Sequence, residues 1–370
     1  MTVPPDTVSL SDYERHFNDR VDPATRAYIA GAGADGITQR ANRAAFDRLR
    51  LMPRALRDLS NASARTTLLG EAMAYPIVVA PMAYHRLVHP DGERATATAA
   101  ALTGTWMTVS TQASVTLEEV AATARGCAPG NPLWFQLYLR PRPEDTLALV
   151  RRAEDAGYRA LVLTVDAPVN GLRNMEQRAG FRLPADVSPV NLAGMAPDGF
   201  TAPRPGSPVF QGMLHNAPTW DSVAWLCAQT RLPVLLKGIL NPEDVEPAIK
   251  AGAGGLVVSN HGGRTLDTLP ATVEALPHVA AAVGGRLPIL MDGGIRRGTD
   301  ILKAIALGAD AVMVGLPVLH ALAVGGVAGV AHALTILQTE LEVAMALTGR
   351  ARLADIDRSV IFNPPADVVA

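Results

Sequence analysis

AIALGADAVMVGLP, residues 304–317, reads as the end of a helix, a glycine and then a strand. The alanine-rich run has helical composition. Gly308 supplies the residue that ends a helix, and the β-branched run behind it has the length and composition of a buried strand. The phrase recurs as AEDAGYRALVLTVD (153–166) and AIKAGAGGLVVSNHG (248–262), and more loosely as ATAAALTGTWMTVS (97–110). Strands this continuously apolar belong to a parallel sheet whose faces are covered by helices. Working outward, eight such strands can be marked: Pro76–Ala80, Trp106–Ser110, Leu133–Tyr138, Ala160–Asp166, Pro233–Lys237, Gly255–Ser259, Pro288–Asp292 and Ala311–Gly315. Helical patterns fill the gaps, as in Glu144–Ala156 and Gly298–Leu307, and the sum is an α/β fold, a (β/α)8 TIM barrel. A doubly wound sheet would want a glycine-rich phosphate turn after its first strand, where this chain has Ala80-Pro81-Met82-Ala83.

The whole chain, 1–370, is expected to form one barrel domain. Residues 1–75 precede the first strand and are expected to hold two short helices, with a capping box at Ser11-x-x-Glu14 and an N-cap at Asp22 before Pro23. Residues 167–218 are too long for an ordinary βα loop and are rich in Pro, Gly and Asn, as in APDGFTAPRPGSP. They read as a mobile lid over the C-terminal face, where barrels carry their sites.

Composition narrows the class. Of 370 residues 48% are hydrophobic and 18% charged, with a net charge of −2 and no basic block, which argues for a packed core and against a nucleic-acid surface. Cys127 and Cys227 lie in no CxxC or Cys/His cluster, so no disulfide framework and no metal site is expected. The N-terminus has neither a basic region nor an apolar run, and the best membrane candidate, Ala304–Val327, is interrupted by Asp310, glycines and Pro317. A cytoplasmic protein that does not enter the membrane is the expectation. Lysine occurs only as Lys237, Lys250 and Lys303 among 33 basic residues, which singles out Lys237 inside an apolar strand.

Polar residues gather at the strand ends: Ser110, Gln136 with Tyr138, Thr164 with Asp166, Lys237, the run Ser259-Asn260-His261-Gly262-Gly263-Arg264, and Asp292-Gly293-Gly294-Ile295-Arg296. Packing alone does not place polar groups at six of eight strand ends. His261 is a natural general base, because an imidazole titrates near working pH. Asp166, from another strand, can orient it and stabilise its charged form. Arg264 and Arg173 offer planar forks for a carboxylate.

SNHGGRTLD (259–267), LLKGI (235–239), DGGIRRGTD (292–300), FQLY (135–138) and LTVDAPVNGLR (163–173), with AYIAGAG (27–33) and APMAYHRLVHPDGE (80–93), resemble the FMN-dependent 2-hydroxy acid oxidases and dehydrogenases. The resemblance runs from about Ser11 to about Asn363. It implies FMN as cofactor, an L-2-hydroxy acid as substrate, O2 or another electron acceptor as partner, and a homo-oligomer, the tetramer. It implies that His261, Asp166, Tyr138 and Tyr28 are catalytic, and that Tyr28 and Tyr138 also join Arg173 and Arg264 in binding the substrate. It further implies a cofactor set of Pro81, Met82, Ala83, Ser110, Gln136, Thr164, Lys237, Ser259, Asp292, Gly293, Gly294, Arg296 and Gly315.

The chain departs from the family after the eighth strand. Gly315-Leu316-Pro317 stands where the family usually has Gly-Arg-Pro, so the phosphate must rely on Arg296 and backbone N–H groups. Gln112 takes the place of a bulky aromatic found in several relatives, and Tyr84 follows Ala83, which together point to a mandelate-like or medium aliphatic substrate. Ala83 inclines the reading to oxidase over dehydrogenase. Two other readings compete: a Schiff-base aldolase using Lys237 as nucleophile, and a flavin-dependent maturation enzyme acting on a peptide-derived group.

Overall fold

A computed structural model describes residues 2–196, 206–214 and 217–362. Eight parallel strands close into a barrel: β3 (Ile77–Val79), β4 (Trp106–Val109), β5 (Leu133–Leu137), β6 (Ala160–Thr164), β7 (Val234–Ile239), β8 (Gly255–Val258), β9 (Ile289–Met291) and β10 (Ala311–Val314), with β10 returning to β3. The fold is therefore the (β/α)8 barrel expected. Each strand falls within its expected bounds except β7, which continues past Lys237. Gly238 makes this possible: the register shifts between Lys237 and Ile239, and Gly238 sits at φ +115 with Asp166 where a Cβ would go. The strand bulges at the point where Asp166 must pass.

The N-terminal segment holds three helices, not two: α1 (Leu10–Arg20), α2 (Pro23–Ala30) and α3 (Ile37–Arg48). Asp22 caps α2 as expected, accepting from the N–H groups of Ala24 and Thr25 at 3.0 Å each. The capping box of α1 lies two residues earlier than expected, on Ser9 and Asp12: Ser9 donates its N–H and hydroxyl to Asp12 at 2.9 and 2.8 Å. The third helix lacks an oxygen-bearing cap, since Gly36 precedes it in a left-handed conformation. A hairpin, β1 (Thr66–Leu68) and β2 (Glu71–Met73), then leads to the barrel. Its Leu68 and Met73 pack with the inward side chains of the barrel, where Trp106 and Trp134 meet edge to face at 5.6 Å.

The surrounding helices are α4 (Gly92–Leu102), α5 (Leu117–Cys127), α6 (Pro143–Asp155), the short α7 (Asn174–Arg178), α8 (Trp220–Gln229), α9 (Val245–Lys250), α10 (Thr272–Val283), α11 (Gly298–Ala306) and α12 (Leu316–Leu347). The glycines of the repeated phrase, Gly157, Gly252 and Gly308, all take positive φ just after a helix, as the sequence pattern requires. Helix α12 runs for 32 residues and bends at Gly326. By length and composition it alone among the described residues could cross a membrane, but two thirds of its most apolar window is buried in this protein, against α1, α4 and α11. His320 on α12 is buried with its ring 4.4 Å from that of Phe17, and neither ring nitrogen has a hydrogen-bond partner among the described residues. Part of the expected lid lies outside the described residues (197–205 and 215–216); what is described there includes α7 and a single π-helical turn, Pro208–Met213.

Candidate active site

The strand ends open onto a cavity of roughly 680 Å³, a size typical of small-molecule and cofactor sites. Every residue expected around cofactor or substrate lines it except two. Asp166 and Ser259 stand one layer back, each behind a side chain that does line it.

Asp166 stands behind His261. The carboxylate oxygen Oδ1 accepts from His261 Nδ1 at 2.9 Å. Burial works to raise the Asp166 pKa, but the hydrogen bond and charge of His261, with Lys237 nearby, outweigh it and hold the group below the ordinary aspartate value. An ionised Asp166 fixes the proton on Nδ1 and leaves Nε2 free to accept another. His261 itself sits at φ +57, a conformation a non-glycine residue seldom adopts, of the kind that collects at functional sites.

Ser259 stands behind Lys237. Its hydroxyl oxygen accepts from Lys237 Nζ at 2.8 Å and from the His261 N–H at 3.1 Å, so one side chain ties the lysine to the histidine backbone. Lys237 also pairs with Asp292 at 3.0 Å. Burial would depress its pKa, but Asp292 and Asp166 prevail and hold it above the usual lysine value. An ammonium held by Asp292 and Ser259 is not the free amine that a Schiff-base aldolase needs, which disfavours that reading.

On the neighbouring strands Gln136 Oε1 accepts from Ser110 Oγ at 3.2 Å and from the Thr111 N–H at 3.1 Å, while its Nε2 donates to Thr164 Oγ1 at 3.1 Å. Gln136 thereby links buried polar side chains at the ends of β4, β5 and β6 on the cavity wall. Tyr138 also lines the cavity, and burial above all pushes its phenol up to about 12, so it acts as a neutral donor.

The two arginines differ. Arg264 donates from Nη1 to the carbonyls of Ile29 and Gly31 at 3.0 and 2.6 Å and from Nη2 to that of Tyr28 at 2.8 Å. These are the open carbonyls at the end of α2, so Arg264 caps that helix and lies 5.7 Å over the Tyr28 ring. Burial, with Arg173 close by, brings its pKa down to about 10, still well charged at neutral pH. Arg173 is less engaged: Nη1 lies 3.5 Å from Glu176, and Nε is buried without a partner among the described residues. The Tyr28 ring stacks on Phe181 at 4.5 Å, and burial raises its phenol above the ordinary tyrosine value.

At the far end the cavity meets Gly293, Gly294, Arg296, Gly315 and Leu316. Arg296 is pushed below the ordinary arginine value by burial, and its Nη1 donates to Ile295 O at 3.0 Å. Three residues of α3 that sequence reading missed, Gln39, Asn42 and Arg43, also line this end. Arg43 is committed to Asp300, at 2.5 and 2.9 Å, and to Asp47 at 2.8 Å. Asn42 exchanges amide hydrogen bonds with Asn260 at 2.9 and 2.8 Å. These residues suit FMN. Asp292 Oδ1 is buried with no donor among the described residues, fitting a hydroxylated chain, and Arg296 with the glycine backbone fits a phosphate, while Leu316 adds no charge.

The comparisons agree with this site. A family profile described as FMN-dependent dehydrogenase matches residues 17–363. The chain is 48% identical to an L-lactate oxidase of Alicycliphilus denitrificans over 360 residues, covering 97% of each. It is 41% identical to 2-hydroxyacid oxidase 2 of Homo sapiens over 357 residues, covering 96% of this chain and 98% of that one. Among solved structures it is similar to mandelate oxidase with benzoyl-formic acid, with a TM-score of 0.86 at 43% identity, covering 96% of this chain and 98% of that one.

Proposed function

The chain belongs to the FMN-dependent dehydrogenase family and is an FMN-dependent enzyme of 2-hydroxy acid oxidation; from that premise we propose that it converts an L-2-hydroxy acid with a medium-sized or aromatic, mandelate-like side chain to the 2-keto acid, with O2 as acceptor and H2O2 as by-product. In this reading Arg173 and Arg264 hold the substrate carboxylate with the Tyr28 phenol, and Tyr138 donates to the hydroxyl or its oxygen. FMN, when bound, supplies the two-electron acceptor. Nε2 of His261 takes up the proton that leaves the substrate, whether from the α-carbon or from the hydroxyl, and Asp166 stabilises the imidazolium that results. With FMN bound, Lys237 would lend its ammonium to the ring system, Ser110, Gln136 and Thr164 would hold its polar atoms, and Arg296 would hold the phosphate. Pro81, Met82 and Ala83 supply backbone groups along the same ring. Residues 167–218 act as the lid.

The observation that carries the substrate size is the wall of the cavity. Leu139, Pro141, Pro168, Met213 and Pro218 give it an apolar lining beside Tyr84, and Gln112 stands there without a bulky ring. Such a wall favours a substrate that buries a sizeable apolar side chain. The test is anaerobic reduction of the bound FMN by glycolate, lactate and mandelate, followed by admission of air. Mandelate is expected to give the highest kcat/KM, and air to restore the oxidised spectrum with one H2O2 per turnover. A preference for glycolate reverses the size reading, and failure of air to reoxidise the enzyme reverses the choice of acceptor.

A further inference from the structure

The substrate arginine Arg173 has an asymmetric environment. Its guanidinium carries two opposite edges, and only one is occupied: Nη1 lies 3.5 Å from Glu176 Oε2. Nε, on the other side, is buried and has no acceptor among the described residues. The Nε–Nη2 edge is the one that gives a carboxylate two parallel hydrogen bonds.

Glu176 is well fixed for such a role. It lies on α7, three residues after Arg173, and the Gln177 N–H closes the turn onto the Arg173 carbonyl at 3.0 Å. The same short segment carries Phe181, whose N–H donates to the Glu176 carbonyl at 3.3 Å and whose ring stacks on Tyr28. Helix α7 packs on α2, the helix that bears Tyr28 and is capped by Arg264. One five-residue helix therefore stands beside all three groups assigned to the substrate carboxylate. Glu176 also acts electrostatically on Arg264 in the sense opposite to Arg173, so it offsets the repulsion between the two guanidiniums.

We propose that Glu176 is a positioning residue for substrate binding, holding Nη1 of Arg173 so that the Nε–Nη2 edge is presented to the carboxylate of the 2-hydroxy acid. This rests on the function proposed above. The competing idea, that Glu176 occupies Arg173 and must be displaced, conflicts with the free edge, because a substrate carboxylate can bind there while the ion pair stays in place.

The experiment uses the FMN-loaded enzyme and 2-hydroxy-2-phenylpropionate, which has no α-hydrogen to lose, with binding read from perturbation of the FMN absorbance. Glu176→Ala is expected to weaken this binding and raise KM for the oxidised acid in parallel, by roughly tenfold, as expected when a hydrogen bond to a charged group is lost. The effect on kcat is smaller. Glu176→Gln, which keeps an acceptor for Nη1, recovers part of the loss. In an Arg173→Ala background, Glu176→Ala has little further effect on binding. Tighter binding by Glu176→Ala, or losses that simply add in the double variant, overturns the inference while leaving the function intact. A wild-type enzyme that oxidises no 2-hydroxy acid overturns the function, and this inference with it.

Discussion

His320→Phe should alter how the stability of this protein depends on pH. Burial, helped by the nearby Arg296 charge, pushes the imidazole from its ordinary 6.5 down to about 3. A histidine depressed in the folded state is neutral there but charged in the unfolded chain below 6.5. Its contribution to stability is therefore fully present above that pH and is lost as pH falls toward 3. At about 1.4 kcal/mol per pH unit, the full loss is on the order of 5 kcal/mol, and the part incurred by pH 5 is about 2 kcal/mol. Phenylalanine fills nearly the same space, continues the stack on Phe17 and does not titrate. The variant should be no less stable than the wild type at pH 8, because two buried nitrogens without partners have been removed. At pH 5 it should gain about 2 kcal/mol relative to the wild type, a shift in unfolding temperature of about 2–3 °C for a chain of this length. The groups that face His320 electrostatically act through Arg296, which itself feels Glu14, Asp300 and Arg43. Their titration is common to both proteins and largely cancels in the difference. The assay is the unfolding temperature of both FMN-loaded proteins at pH 8, 6.5 and 5. A difference that stays constant across that range refutes the reasoning.

His261→Ala should retain FMN and bind a carboxylate inhibitor, while stopped-flow reduction of the flavin slows by the ~10²–10⁴-fold that general base catalysis supplies. A near wild-type reduction rate would remove His261 as the base. Arg264→Lys should lose inhibitor affinity and reduction rate together, because an ammonium cannot reach the three carbonyls of α2 that the fork now holds; unchanged inhibitor binding would show that Tyr28 does not depend on this cap. Leu316→Arg should tighten FMN by on the order of 1–3 kcal/mol, read as a lower Kd in fluorescence titration of the apoprotein, and an unchanged Kd would mean that the side chain does not reach the phosphate. Sedimentation should give a tetramer, and a species at the mass of a single chain would exclude it.

The parts legible in the sequence share a physical cause. Parallel barrel strands are buried on both faces, so they appear as short apolar runs between helix-ending glycines, and seven of the eight kept their expected bounds. The polar residues at their ends stood out against that background, which is why all but two of the expected site residues line the cavity. What was missed depends on contacts between distant segments. No short-range signal marks α3, because Gly36 begins it without a side-chain cap, and so Asn42 and Arg43 were overlooked with it. The bulge at Gly238 becomes visible only when Asp166 is seen beside it. Arg264 reads as a free fork in the sequence, whereas three of its bonds are committed to carbonyls more than 230 positions earlier in the chain.

The barrel closes between its first and last strands, with Ile77 paired to Val312, and the two ends of the chain are fastened outside it as well. Arg20 bonds the Val324 carbonyl, Tyr13 meets His332, and Ser63 and Leu51 bridge to Arg352 and Ile361. During synthesis residues 13–77 thus leave the ribosome well over 200 residues before their partners at 312–361 follow. The growing chain carries β3 as an open edge until β10 emerges and α1 with a bare apolar face until α12 emerges, the condition in which chaperones are needed most. Asp292, Arg296 and Gly315 follow Tyr28 by more than 260 residues, so the cavity that suits the cofactor is assembled only once that whole stretch has emerged.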